Sequence, residues 1–383
     1  MFNDLWICPH DDYPVVTADD QPASGSASAP VSPLRPPGWQ SADVHQPPTT
    51  DNPGPFFDDL SVGQTLDPAP AVTIDSGMAA VYQAICGDPL ALPLSRPLAE
   101  AVTGQTGALV NPALVLQVSI GQSTVATRTV IANLFYRGVA LQRPVRHGET
   151  LHSTVTIRGL RELSRRDDRP ARGLALLGIH TSCVDTGATV ADYQRCAMLR
   201  FRDPDTTTGH DDDLGEVDHD VDLAIWAELV PENWNLDPLR AATRVADRTA
   251  ETISSSTMVD PMRDTVTNAP ELARLTQNLA PVHRDPSLGP GARRLVYGGH
   301  TVGLAQASVV RLLPDTATFL GWQSCDHPAP VFENDVLSFR HTLLDEQPVA
   351  EGRLRAFRTE VEAERTNGSA ETVLDWRHIT WST

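Results

Sequence analysis

At 383 residues and 40% apolar composition, the chain is long enough to bury a sizeable core, and two domains is the expectation. A net charge of −19 speaks against nucleic acid and against an anionic membrane surface as partners, because phosphate binding needs clustered basic side chains. All 30 basic residues are arginine, which excludes Schiff-base chemistry and the lysine of a phosphate-binding P-loop. The five cysteines (8, 86, 183, 196 and 325) form no C-x-x-C pair, so the expectation is no metal site, no disulfide framework and a cytoplasmic location. No apolar run reaches membrane-spanning length, and the N-terminus lacks a basic-then-apolar leader.

Along the chain, residues 1–54 come first and differ from the rest. Eleven of the 31 prolines lie there or at Pro55, among Ser, Ala, Asp and Gln. This composition predicts a disordered or extended tail. In residues 55–202, Val72–Asp75 leads into helix-like spacing at 77–85. Pro112–Ile120 reads as an apolar helix, and strand-like runs follow at 129–136, 150–160, 171–185 and 193–201. A polar, acidic stretch over 203–235 reads as a linker. In residues 236–383, a helix at 269–276 precedes Asn278. Tyr297-Gly298-Gly299-His300 opens a longer apolar helix to Leu312, and strands are expected at 316–323, 335–344, 353–363 and 372–380.

Two internal matches indicate duplication. Pro144-Val145-Arg146-His147-Gly148-Glu149-Thr150-Leu151 aligns with Pro330-Val331-Phe332-Glu333-Asn334-Asp335-Val336-Leu337. Upstream of each lies half of an Asp-x4-His pair. Asp88 is followed by Pro93 in the His position, and His283 is preceded by Asn278 in the Asp position. The first unit then has a degenerate site and the second a candidate centre. The predicted architecture is α+β: one long helix against several antiparallel strands, twice.

This order of signals resembles the MaoC-like dehydratase family in its double hot-dog form, including its mesaconyl- and itaconyl-CoA hydratase-like members. The resemblance rests on Phe56-Phe57-Asp58-Asp59-Leu60-Ser61-Val62-Gly63-Gln64, on the two Pro-Val lead-ins to strands and on the incomplete Asp-x4-His pair. It implies an acyl-CoA hydratase/dehydratase, which adds water to a trans-2-enoyl-CoA or removes it from a 3-hydroxyacyl-CoA. It further implies His283 as acid/base, Asn278 as a water holder in place of Asp, and Asp285 as an orienting or substitute carboxylate. Backbone N–H groups of Gly298 and Gly299 would polarise the thioester carbonyl. Arg284 and Arg294 would reach coenzyme A, and His300 and Trp322 would border the substrate. The resemblance implies no cofactor beyond the coenzyme A of the substrate, and a homodimer. Two other readings share the fold: an acyl-CoA thioesterase, and a non-catalytic acyl-CoA-binding subunit. The Asp326-His327 pair is too sparse to suggest a metal.

Overall fold

The computed structural model describes residues 54–166, 170–215, 220–243, 257–365 and 368–383. The expected tail thus lies outside the described residues, except for Gly54. Alternating apolar and polar residues fold into strands β1 (Val72–Thr73), β2 (Val130–Leu141), β3 (Thr150–Glu162), β4 (Arg172–Cys183) and β5 (Thr189–Arg200) in the first half. The second half contributes β6 (Thr257–Val259), β7 (Asp264–Thr265), β8 (Thr316–Asp326), β9 (Val336–Val349), β10 (Gly352–Glu364) and β11 (Ala370–Ser382). The long strands agree with the expected runs. The short β6 and β7 were not expected, because two or three residues carry no readable period.

These strands form one antiparallel sheet in the order β1-β3-β4-β5-β2-β8-β11-β10-β9-β6, with β7 also on β9. The order reads alike from both ends when β1 is matched with β6, β2 with β8, β3 with β9, β4 with β10 and β5 with β11. At the centre, Tyr136 pairs with Cys325 and Val139 with Trp322. Tyr136 and Trp322 each lie eight residues before their Pro-Val lead-in, and Val139 and Cys325 each lie five before it. The β2–β8 pairing therefore exchanges equivalent positions, as an internal two-fold requires. This is the double hot-dog arrangement.

Inside the curved sheet lie two central helices, Pro112–Gln122 and Gly298–Leu312. Every residue of the first is buried, because the sheet covers one side and the second helix the other. Across that contact Gln117 Nε2 donates to Gly299 O at 2.7 Å, and the Tyr297 hydroxyl donates to Gln117 O at 3.3 Å.

Residues 203–235 are more than a linker. Leu214 packs with Leu176 and Cys196, while Leu223, Trp226 and Trp234 join a core cluster with Leu92 and Trp381. The acidic run had concealed these apolar residues. The described residues from Gly54 to Thr383 form one compact unit.

Candidate active site

The helix Ala269–Leu275 ends before Gln277, which takes a left-handed φ of 58°. For a non-glycine residue this conformation costs roughly 1–2 kcal/mol. It turns the chain so that Asn278 N donates to Ala273 O at 2.8 Å. Asn278 is buried, and its Oδ1 accepts from Ala280 N at 3.0 Å, closing a side-chain turn. Pro281–His283 then forms one tight helical turn.

The first half braces this loop. Leu279 N donates to Thr124 Oγ1 at 2.8 Å. A Cβ on Gly121 would overlap the Thr276 carbonyl, so the end of the first central helix approaches the loop as only glycine permits. The second half's candidate loop is thus held by the first half's helix.

His283 is 8% exposed, and its Nδ1 lies 2.9 Å from Leu295 O. A carbonyl can only accept, so Nδ1 carries the proton and Nε2 keeps its lone pair. Burial lowers the pKa of His283 to about 4; the Leu295 bond opposes this, and the nearby Arg284 and Arg195 cations add to the lowering. The ring is therefore neutral near pH 7, with the Nε2 lone pair free.

His283 lines a cavity of about 250 Å³ with Asn278, Gly298 and His327 from the second half and Tyr136 and Arg195 from the first. Gly298 opens the second central helix, whose N-cap Tyr297 makes no side-chain capping bond. The first N–H groups of a helix have no intrahelical acceptor, and they carry the positive end of its dipole. A Cβ on Gly298 would sit 2.8 to 2.9 Å from the His327 ring, so glycine keeps this helix start open. Burial also lowers His327 to about 4 and raises the Tyr136 hydroxyl to about 12.

The structure brings His283, Asn278 and Gly298 together and leaves other expected site residues outside the cavity. Gly299 is buried at the same helix start, with its carbonyl engaged by Gln117. Asp285 neither orients His283 nor replaces the missing carboxylate. It is exposed, and its Oδ1 accepts from Ser287 N and Oγ at 2.9 and 2.7 Å. Arg284 donates to Asn278 O, and Arg294 is paired with Glu333, so both brace the loop. His300 is sealed in the second central helix, both ring nitrogens lacking partners. Trp322 is a core residue, edge-on to Tyr136 and Trp376 at 5.7 and 5.8 Å. Its repeat-mate Tyr136 lines the cavity instead, with Tyr297. Asp326 pairs with Arg137 at 2.7 Å.

Sequence reasoning missed the first half's contribution, above all Arg195 on β5. Its signal was an arginine on the inward face of an alternating strand, in register with buried Tyr193, Ala197 and Leu199.

No protein-family profile matches the chain. Beta-methylmalyl-CoA dehydratase of Chloroflexus aurantiacus is 29% identical over 293 residues, covering 75% of this chain and 81% of that protein. Among solved structures, Rv0216 of Mycobacterium tuberculosis, described as a double hot-dog protein, is 40% identical with a TM-score of 0.76. The match covers 86% of this chain and 99% of that one. A putative MaoC domain protein dehydratase from Chloroflexus aurantiacus is 25% identical with a TM-score of 0.70, covering 87% and 98%.

Proposed function

This chain belongs to the MaoC-like double hot-dog dehydratases, and from that premise we propose that it moves water on and off an acyl-CoA thioester with His283 as acid and base. The class of reaction is that of a hydro-lyase. In the hydration direction, His283 Nε2 takes a proton from water as the water oxygen bonds to the β-carbon of the enoyl thioester. The double-bond electrons move onto the thioester as an enolate. Its oxygen charge is stabilised by the N–H of Gly298, at the cavity, and by the positive end of the helix it opens. The protonated imidazole then returns its proton to the α-carbon. Dehydration reverses each step.

The observation that carries this reading is the commitment of His283 Nδ1 to the Leu295 carbonyl while the ring lines the cavity. Asn278 has no acidic proton. With Oδ1 held by Ala280 N, its amide nitrogen is the group left to position water. Acid–base addition of water transfers no electrons, so no cofactor beyond the substrate's coenzyme A is proposed. Among the described residues four cysteines (Cys86, Cys183, Cys196 and Cys325) are free and buried, consistent with the proposed reducing, cytoplasmic setting. Among the described residues no helix is long and apolar enough to cross a membrane. Homodimerisation belongs to the same proposal, and sedimentation tests it.

The test is a screen of enoyl-CoA thioesters, followed by loss of enoyl absorbance and by a product heavier by one water. Release of free thiol instead would identify a thioesterase. Tight binding of thioesters with neither reaction would identify a non-catalytic subunit.

A further inference from the structure

His327 is a second histidine on the wall of the His283 cavity, and the proposed reaction does not use it. It follows β8, and its backbone N–H donates to Leu134 O on β2 at 3.0 Å, so pairing at the centre of the sheet fixes its place. The half-buried ring is edge-on to Tyr136 at 6.0 Å. Its Cε1 and Nε2 atoms lie against Gly298, at the start of the second central helix.

The two ring nitrogens differ. Nε2 lies 3.8 Å from Cys325 Sγ. Burial pushes the Cys325 thiol well above its ordinary range, and nearby Asp326 adds to the rise, so the sulfur keeps its proton. The S–H then donates to the Nε2 lone pair, a better acceptor than sulfur. The proton of the neutral ring is therefore on Nδ1, which makes no hydrogen bond with any described residue. Burial keeps the ring neutral near pH 7, as the positive helix end beside it also favours. A neutral imidazole in such a place can polarise a carbonyl through its N–H.

The closed half lacks both donors. Gly298 and Pro112 each lie 32 residues before Pro330 and Pro144, and His327 and Leu141 each lie three residues before them. Pro112 has no N–H and the Leu141 side chain no polar atom, and both line the small first cavity. The open half thus carries two N–H groups where its repeat carries none.

We propose that His327 is a further catalytic residue, its Nδ1–H donating to the thioester carbonyl oxygen beside the N–H of Gly298. The imidazole keeps its proton throughout, and the hydrogen bond strengthens as that oxygen gains enolate charge. The proposal rests on the hydratase reading, in which the backbone and the helix end alone had that task.

The test begins with a thioester that cannot be hydrated. Butyryl-CoA with ¹³C at the thioester carbonyl reports polarisation of that bond in infrared difference spectra. On the unaltered protein the carbonyl stretch should fall below its solution value. His327→Phe keeps a ring and removes the donor; it should lose much of that fall while Kd changes by less than about tenfold. His327→Asn, whose amide nitrogen can stand near Nδ1, should recover it in part, and His327→Gln, whose amide matches Nε2, should not. For the enoyl-CoA hydrated fastest in the thioester screen, kcat should fall about 10²–10³-fold in His327→Phe, with partial recovery in His327→Asn.

The same carbonyl stretch in the unaltered protein and in His327→Phe would overturn the proposal. So would recovery in His327→Gln in place of His327→Asn, a contrast that decides even if His327→Phe fails to fold. No binding of butyryl-CoA to the unaltered protein would overturn it together with the hydratase reading. A stretch that depends on His327, with no hydration of any enoyl thioester, would uphold the hydrogen bond and overturn the hydratase reading. Hydration with a stretch indifferent to His327 would do the reverse.

Discussion

The two halves keep the same loop and use it oppositely. In each, the side chain at the Asp position accepts from the N–H two residues on: Asp88 from Leu90 at 3.0 Å, and Asn278 from Ala280 at 3.0 Å. In the first half the other carboxylate oxygen of Asp88 accepts from Asn111 Nδ2 at 2.7 Å and from Gln306 Nε2 at 2.6 Å. Asn111 also caps its helix through Ala113 N at 2.9 Å. Pro93 stands where His283 stands, and Leu92, Leu229 and Trp234 help to leave a cavity of only about 30 Å³. In the second half the helix start is uncapped by side chains and the cavity is about 250 Å³. The shared side-chain turn is thus architecture, and chemistry depends on what surrounds it. The carboxylate survives in the closed half, where Gln306 of the other central helix makes it a clamp.

The comparison breaks most sharply at His283. His283→Ala should lower kcat for enoyl-CoA hydration by about 10²–10⁴-fold, the range for a positioned acid–base group, with circular dichroism unchanged. Pro93→His in that background should restore nothing, because the first cavity is filled. Recovery of turnover there would show that the halves are interchangeable and that packing does not decide between them.

Asp88 tests the opposite half. Asp88→Ala leaves Asn111 Nδ2 and Leu90 N without acceptors in a buried site and Gln306 Nε2 with only Asn111 Oδ1, at about 1–3 kcal/mol for each orphaned group. The urea midpoint should fall clearly. Asp88→Asn keeps an acceptor for Leu90 but turns an amide N–H toward the Asn111 and Gln306 donors, so it too should lower the midpoint. Burial raises the pKa of Asp88, while its three hydrogen bonds and Arg311 oppose the rise. Unchanged unfolding of Asp88→Ala would remove the clamp from the account.

Much of this was legible in the sequence, because long elements carry their period with them. The alternation at 150–160 became β3, and the uniformly apolar 112–120 became a helix buried all round. The candidate loop was legible from Asn278 and His283 at fixed spacing. Residues acting across the two-fold were not. The sequence points to Trp322 for the substrate groove, whereas its repeat-mate Tyr136 reaches the cavity, because nothing local tells equivalent positions of a duplicated strand apart. Asp285 looked well placed beside His283, but a carboxylate two residues from a serine N–H closes its own turn instead. Arg195 belongs to no motif, and its place at the cavity depends on the β2–β5 pairing that sets it beside Tyr136.

The smallest effect expected is a shift in pH dependence, and it bears directly on the Asn/Asp difference between the halves. Burial holds the folded His283 at a pKa of about 4, below the ordinary 6.5 of a free imidazole. Free-enzyme kcat/KM for hydration should therefore stay level as pH falls through 6 and drop only near 4, since the base is lost only when the folded ring protonates. The same depression means that the folded state binds fewer protons than the unfolded state between about pH 6.5 and 4. Stability contributed by keeping this ring neutral is present above 6.5 and is lost as pH falls through that window. Asn278→Asp would put a carboxylate in the position where Asp88 stands in the closed half. A nearby negative charge favours the imidazolium, so the acid limb should move up toward neutrality. An acid limb that stays put would mean that the charge at position 278 does not reach His283, and that the Asn/Asp difference matters for holding water alone.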